Sequence, residues 1–147
     1  MAISNLEIAP PLNILLVEDD DGDAQAVQRA LRKAKWGNSV VRVVDGIAAL
    51  ELLRSPDGKA APPGGRLLLV DLNMPRMNGI QFVKALRADE HLHRLIVFIF
   101  TTSERAEDKK AAYDLNVAGY ITKATAGEDF SNLVSLLDYY SRIVKIP

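Results

Sequence analysis

The stretch LLLVDLNMPRMNG, residues 67–79, decides the fold because it contains one complete connection from a strand to a helix. Residues 67–70 have the length and the unbroken hydrophobicity of a strand that is buried on both faces. The turn-forming residues Asn73-Met74-Pro75 end this strand, and the apolar pattern from 79 to 87 predicts a helix. Asp71 therefore stands where a buried strand enters its loop.

The same unit recurs along the whole chain. Strands are predicted at 13–17, 40–44, 67–70, 95–100 and 119–122, and helices at about 23–36, 47–54, 79–87, 105–115 and 127–144. The connection at 55–65, SPDGKAAPPGG, is rich in proline and glycine and predicts a flexible loop. Buried strands that alternate with helices are typical of an α/β fold, in which helices cover both faces of a parallel sheet.

The composition indicates one globular domain and excludes several classes of function. The 147 residues are 48% hydrophobic and 25% charged, which is typical of a folded domain with its own core. A net charge of -1 argues against nucleic-acid binding through bulk positive charge, and the absence of cysteine excludes disulfides and thiolate zinc sites. Because neither a signal peptide nor a membrane-spanning run is present, we expect a cytoplasmic protein that does not bind a membrane.

Charged and polar residues stand at the ends of the predicted strands. Glu18 and Asp19 follow the first strand, Asp71 follows the third, Thr101 ends the fourth and Lys123 follows the fifth. We expect these side chains to meet, because the carboxyl ends of parallel strands share one edge of the sheet. Three crowded carboxylates need a compensating cation, and oxygen ligands without cysteine favour Mg²⁺.

The donors at this edge suit phosphoryl oxygens. Thr101 offers a hydroxyl and Lys123 an ammonium group. Asp71, at the end of a buried strand, would be the nucleophile that forms an aspartyl phosphate. The residues therefore predict a phosphoryl-transfer site.

Four stretches together resemble the response-regulator receiver domain of two-component signalling. They are ILLVEDD (14–20), LLLVDLNMPRMNG (67–79), FIFTTS (98–103) and AGYITKA (118–124). Each is weak alone, but their order and spacing are specific. The resemblance covers about residues 13–140. It implies a flavodoxin-like, doubly wound parallel sheet of five strands in the order 2-1-3-4-5 with five helices. It also implies a phosphorylation-dependent regulator that is phosphorylated by a cognate sensor histidine kinase.

The resemblance assigns roles to the acids and the lysine. Asp71 would be the phosphoacceptor and Lys123 would bind the phosphate. Asp19, Asp71 and the backbone carbonyl of Asn73 would ligate Mg²⁺ directly. Glu18 would reach the metal through a water molecule.

The resemblance also implies a conformational switch. Thr101 would be the switch hydroxyl and Tyr120 the aromatic side chain coupled to it, so that phosphorylation repacks the surface of helix 4, strand 5 and helix 5. Two residues depart from the family pattern: Glu18 replaces a common aspartate, and Ala124 replaces the proline that usually follows the lysine in a cis peptide. The second departure leaves open whether the peptide after Lys123 is cis or trans.

A narrower resemblance is to the single-domain regulators that pair with bacterial phytochrome histidine kinases. It depends on the Glu18-Asp19 pair, the Lys123-Ala124 pair, the insertion at 55–66 and the tail LLDYYSRIVKIP (136–147). This resemblance implies a phytochrome kinase as the partner. It also implies a homodimer.

The final helix has more apolar surface than a core stripe requires, and an excess of this kind indicates a partner. The core-facing residues are predicted to be Phe130, Leu133, Val134, Leu137 and Val144. The candidate dimer surface consists of Leu136, Tyr139, Tyr140 and Ile143. We therefore divide the chain into an N-terminal extension (1–12), a receiver domain (13–140) and a C-terminal tail that is a candidate dimer arm (141–147).

The acidic run VEDDDGD (17–23) has a competing interpretation as a calcium loop. A loop of the EF-hand type that started at Asp19 would need glycine at 24 and glutamate at 30, where Ala24 and Ala30 stand. The acids after the Glu18-Asp19 pair are instead interpreted as caps and dipole partners of the first helix: Asp20, Asp21 and Asp23.

The competing function is an aspartate-nucleophile phosphatase or phosphotransferase. Such an enzyme usually carries its nucleophile and a second aspartate two residues apart on the first strand, and it needs a cap or substrate pocket for which 147 residues leave little room. We expect no enzymatic activity beyond the protein's own phosphorylation and dephosphorylation. A degenerate receiver that acts only as a scaffold is disfavoured because the site residues are all present.

Overall fold

The computed structural model describes residues 12–37, 39–56 and 65–147. Along these residues the elements are β1 (Asn13–Val17), α1 (Asp21–Lys33), β2 (Val40–Val43), α2 (Gly46–Arg54), β3 (Arg66–Val70), α3 (Gly79–Ala88), β4 (Ile96–Thr101), α4 (Ala106–Asp114), β5 (Gly119–Thr122) and α5 (Ser131–Ile143). Two short 3₁₀ turns, Lys123–Thr125 and Glu128–Phe130, connect β5 to α5. Most of the predicted extension at 1–12 and of the connection at 55–65 lies outside the described residues.

The strands form one parallel sheet in the order β2-β1-β3-β4-β5, which confirms the predicted flavodoxin-like topology. In the register of the sheet, Val17 pairs with both Val43 and Val70, so β1, β2 and β3 end side by side. Thr101 pairs with Thr122 at the end of β4 and β5. The residues that follow these strands are therefore delivered to one edge.

Successive strand residues enter two different apolar layers. Leu15, Leu68 and Val70 pack with the buried residues of α2 and α3. Their neighbours, such as Leu16 and Leu69, pack with the buried residues of α1 and α5 on the other face. This division explains why the strands are apolar without alternation. Within the described part of the chain, no helix combines the length and apolarity needed to cross a membrane.

Local backbone chemistry sets the helix ends. Asp20 caps α1 as predicted, since its Oδ1 accepts a hydrogen bond of 2.8 Å from the backbone N–H of Asp23. The predicted start of the last helix at 127 is wrong. Gly127, Asp129 and Phe130 have φ angles of 87°, 51° and 59°, which interrupt the helical backbone until Ser131.

The apolar faces of α5 differ partly from the predicted ones. Leu133, Val134 and Leu137 are buried as predicted, but Val144 is exposed because the helix ends one residue before it. Tyr140, predicted at the dimer surface, packs its ring edge-on against Phe98 at a centroid distance of 5.1 Å. In the tail, Ile146 packs against the layer formed with α1 and α5. Part of the predicted dimer arm therefore packs on the core of its own domain.

Asp45 joins α2 to the loop after β3. Its buried carboxylate caps α2 by accepting a hydrogen bond of 2.9 Å from the backbone N–H of Ala48. It also accepts hydrogen bonds from Nε and Nη2 of Arg76, at 2.7 Å and 3.1 Å. The bonds from Arg76 hold the pKa of Asp45 below its ordinary value.

We predict that Asp45→Ala lowers the free energy of unfolding by about 2 kcal/mol, because it removes both the cap and the partner of Arg76. Asp45→Asn should lose about half as much, since asparagine caps a helix as well as aspartate does. Because the folded pKa is lowered, the ion pair stabilises fully above pH about 4, the unfolded pKa, and is lost as the pH falls through the folded value. Urea denaturation of the three proteins against pH measures this, and an Asp45→Asn deficit that did not shrink in acid would contradict it.

Candidate functional site

The backbone positions two acids at the carboxyl edge of the sheet. The N–H of Glu18 donates to the carbonyl of Val43 at 3.0 Å, and the N–H of Asp71 donates to the carbonyl of Val17 at 3.0 Å. These bonds continue the ladders of the sheet by one residue beyond β1 and β3. Both carboxylates are consequently buried beside each other, as the sequence predicted.

Lys123, which follows β5, completes the site from the other side. Its Nζ donates to Glu18 Oε1 at 2.7 Å, to Asp23 Oδ2 at 2.7 Å and to Asp71 Oδ2 at 3.1 Å. The ammonium group also lies 5.5 Å from the centroid of the Phe100 ring, within cation–π range. The peptide bond from Lys123 to Ala124 is trans.

Burial and neighbouring charges shift the pKa values of Glu18 and Lys123. Burial raises the pKa of Glu18 to about 7; the nearby Asp71 charge also raises it, and the hydrogen bond from Lys123 opposes the increase. Burial opposes the charged form of Lys123. Its bonds to Asp23 and Glu18 outweigh this effect and raise the pKa of Lys123 above its ordinary value. The lysine is therefore held firmly as a cation.

Three of the predicted ligand side chains suit a hard divalent cation. Carboxylate oxygens of Glu18, Asp19 and Asp71 lie within 4.8 Å of one another, and Asp19 is exposed to solvent. Since Mg²⁺ binds each oxygen at about 2.1 Å, two of its ligand atoms lie up to about 4 Å apart, so small side-chain rotations would suffice. The donor set, which contains only oxygen, fits Mg²⁺ or Mn²⁺.

The loop after Asp71 folds back on the acid. The backbone N–H of Asn73 donates to Asp71 Oδ1 at 3.4 Å. The backbone N–H of Gly79, at the start of α3, donates to the carbonyl of Leu72 at 3.0 Å. Asn73 is thus adjacent to the acidic cluster.

Thr101 and Tyr120 are linked through Ser103. Thr101 is fully buried at the end of β4, and its Oγ1 accepts a hydrogen bond of 3.3 Å from the backbone N–H of Ser103. The Tyr120 hydroxyl donates to the carbonyl of Ser103 at 2.9 Å. The Ser103 hydroxyl donates to Asp108, which ties this loop to α4. A movement of this loop toward Asp71 would therefore disturb Thr101 and Tyr120 together.

Asp23 is the site residue that the sequence interpretation missed. The sequence predicts an acid of the first helical turn; this is correct for the backbone of Asp23 but wrong for its side chain, which pairs with Lys123. A usable signal was present in the sequence. Asp20 is a strong cap residue, so Asp23 occupies the third helical position, in the first turn of the helix that follows β1.

Comparisons with known proteins agree with the observed fold. The family model for the response regulator receiver domain matches residues 14–135. Response regulator Rcp1 of Synechocystis is 31% identical over 142 residues, which cover 96% of this chain and 97% of Rcp1.

Two solved structures are similar over nearly their whole lengths. The phosphorylated cyanobacterial phytochrome response regulator RcpA has a TM-score of 0.79 and 31% identity, covering 92% of this chain and 97% of RcpA. The Mn²⁺-bound form of Rcp1 has a TM-score of 0.78 and 30% identity, covering 93% of this chain and 99% of Rcp1.

Gly79 allows the Asp71 loop to close onto α3. A Cβ at this position would lie 2.3 Å from the carbonyl oxygen of Asp71 and 2.9 Å from the Cα of Leu72, both backbone atoms. We predict that Gly79→Ala lowers the free energy of unfolding by about 3 kcal/mol, because the backbone that carries Asp71 must shift. Gly37→Ala is the matched control, since a Cβ there would meet nothing within 4 Å. Equal unfolding free energies for the two variants in urea denaturation would contradict the prediction.

Proposed function

The chain belongs to the response regulator receiver domain family, and from that premise we propose that Asp71 is its site of phosphorylation. Membership makes the protein a phosphorylation-dependent regulator of two-component signalling and disfavours the phosphatase alternative. The observation that supports Asp71 is its buried carboxylate at the end of β3, which accepts a hydrogen bond from Lys123. In this proposal, residues 13–140 form the receiver domain.

Asp71 acts as the nucleophile toward a phosphohistidine of a sensor histidine kinase. A carboxylate oxygen of Asp71 attacks phosphorus, the phosphorus–nitrogen bond breaks, and its electron pair returns to the imidazole. Lys123 donates a hydrogen bond to a phosphoryl oxygen and stabilises the charge of the transferring group. Hydrolysis of the acyl phosphate later restores the carboxylate. The protein catalyses only these reactions of its own side chain.

The carboxylates of Asp19 and Asp71 and the backbone carbonyl of Asn73 are the proposed ligands of Mg²⁺, and Glu18 is the proposed outer ligand. When bound, the ion offsets negative charge between the acids and the phosphoryl group. The buried Glu18 carboxylate, held by Lys123, keeps the lysine beside Asp71. In this proposal, the Glu18-Asp19 pair both binds the metal ion and positions Lys123.

Thr101 and Tyr120 are the proposed switch. A phosphoryl oxygen on Asp71 attracts the Thr101 hydroxyl, which now accepts from Ser103, and the loop moves with it. The bond from Tyr120 to the Ser103 carbonyl transmits this movement to β5 and α4. Phosphorylation shifts the population between two arrangements of the surface formed by α4, β5 and α5.

The proposed kinase partner is a bacterial phytochrome. Support comes from the relatives, since RcpA is a cyanobacterial phytochrome response regulator and a bacteriophytochrome response regulator, AtBRR, is also similar, with a TM-score of 0.71. Phosphotransfer from a panel of purified histidine kinases that includes a phytochrome kinase tests this pairing. The proposal is wrong if the phytochrome kinase transfers no faster than unrelated kinases.

We predict that Asp71→Asn abolishes stable phosphorylation by acetyl phosphate or by a kinase, because the amide cannot form the acyl phosphate. Asp114→Asn, which removes an exposed acid of α4, should be phosphorylated like the wild type. Intact-mass spectrometry and phosphate lability measure both. Normal phosphate levels on Asp71→Asn would refute the assignment, and multiple turnovers of a small phosphate ester by the wild type would favour the phosphatase.

A homodimer through α5 is proposed as the assembly. Tyr139 and Ile143 are 63% and 65% exposed, and Leu136 is exposed on the same side of the helix. An exposed apolar strip of this kind favours association. Tyr140 contributes at most its free edge, because Phe98 covers part of its ring.

We predict that Tyr139→Glu raises the dissociation constant of the dimer by roughly tenfold or more, because a charge would enter an apolar contact. Val41→Glu is the matched control. Val41 is an exposed apolar residue of β2, and β2 and β5 are the two opposite edge strands of the sheet. Analytical ultracentrifugation with and without phosphorylation measures the constants. A wild type that stays monomeric at high micromolar concentration in both states would contradict the proposal.

A further inference from the structure

Lys123 has no free proton for a phosphoryl group. An ammonium group has three N–H bonds, and Lys123 donates to three carboxylates, those of Glu18, Asp23 and Asp71. The side chain is 8% exposed, so little water competes for these protons. A fourth acceptor can bind strongly only if one of the three contacts is lost.

The three contacts differ in how readily they can be lost. Glu18 is 1% exposed, and a buried carboxylate that lost its lysine would be left without compensation. Asp71 itself receives the phosphoryl group, so its contact with Lys123 must rearrange in any case. The Asp23 side chain is 34% exposed, so water can solvate it once it leaves Lys123.

The position of Asp23 in the helix favours its release. It stands in the first turn of α1, where the backbone N–H groups at the helix N-terminus stabilise a negative charge. Its own N–H remains capped by Asp20, so the helix end does not depend on the Lys123 contact. Asp23 can therefore exchange Lys123 for water without unfolding the first turn.

We propose that Asp23 is a positioning residue that holds Lys123 in the unphosphorylated protein and releases it to the incoming phosphoryl group. This inference rests on the proposed phosphorylation of Asp71. Asp23 thereby competes with the phosphoryl group for the lysine and slows phosphorylation. The competition favours the unphosphorylated state at rest.

The test is the phosphorylation rate of Asp23→Ala with acetyl phosphate and Mg²⁺, followed by intact-mass spectrometry. Asp71 attacks phosphorus, the bond from phosphorus to the acetyl oxygen breaks, and acetate leaves with the electron pair. We expect a rate roughly fivefold above the wild type, as is typical for loss of one partly exposed ion pair. Asp23→Asn has nearly the shape of the native side chain and should change the rate in the same direction, which covers the case in which Asp23→Ala folds poorly.

Two controls separate this role from bulk charge and from structure. Asp21→Ala removes the same charge from the same helical turn, but Asp21 pairs with Arg42 rather than with Lys123, so we expect the wild-type rate. We expect Lys123→Ala to be phosphorylated more slowly than the wild type, and in that background Asp23→Ala should give no acceleration, because its effect passes through the lysine.

The outcomes are distinct. An unchanged or slower Asp23→Ala overturns the inference, and so does an equal acceleration by Asp21→Ala or an acceleration that persists without Lys123. Each of these results requires a wild type that is phosphorylated at Asp71. A wild type that is not phosphorylated there refutes the proposed function itself.

Discussion

The bonds between the Lys123 ammonium group and the acids around it are the interaction on which the site depends. Glu18 and Asp71 are both buried, and two buried carboxylates side by side repel each other and lose solvation. Lys123 contacts both, and this contact allows them to be neighbours. The cation is fixed in turn by the acids and by the ring of Phe100. Without Lys123, the two buried acids would lack a compensating charge.

The parallel sheet brings these side chains together although they are far apart in the sequence. Glu18 and Lys123 are 105 residues apart, and they meet because β1 and β5 run in the same direction and end at the same edge. The backbone bonds of Glu18 and Asp71 to the neighbouring strands extend the sheet by one residue. The backbone hydrogen bonds of the sheet therefore hold both acids in place.

The sequence predicts the features that depend on the spacing of apolar residues and on which residues follow each strand. Unbroken apolar strands identify the sheet, and Asp71 and Lys123 are placed because each directly follows a predicted strand. Features that depend on side-chain direction were less accessible. Asp20 and Asp23 look alike in the sequence, but the first caps α1 and the second reaches Lys123. Tyr139 and Tyr140 are adjacent, yet only Tyr140 packs on Phe98. The late start of α5 depends on positive φ angles at Asp129 and Phe130, residues that rarely adopt them.

The site contains more negative than positive side chains. The carboxylates of Glu18, Asp23 and Asp71 contact one ammonium group, and the carboxylate of Asp19 lies near those of Glu18 and Asp71. A phosphoryl donor is itself an anion, so it approaches an edge that repels it while these acids are ionised. Burial opposes the charged form of Glu18 and raises its pKa above the ordinary value, which reduces part of this repulsion. The rest must be offset by a bound cation or by movement of an acid away from the lysine. Of the acids that contact Lys123, Asp23 is the most exposed and can move into water at the lowest cost. The surplus of negative charge therefore favours a divalent cation at this edge of the sheet.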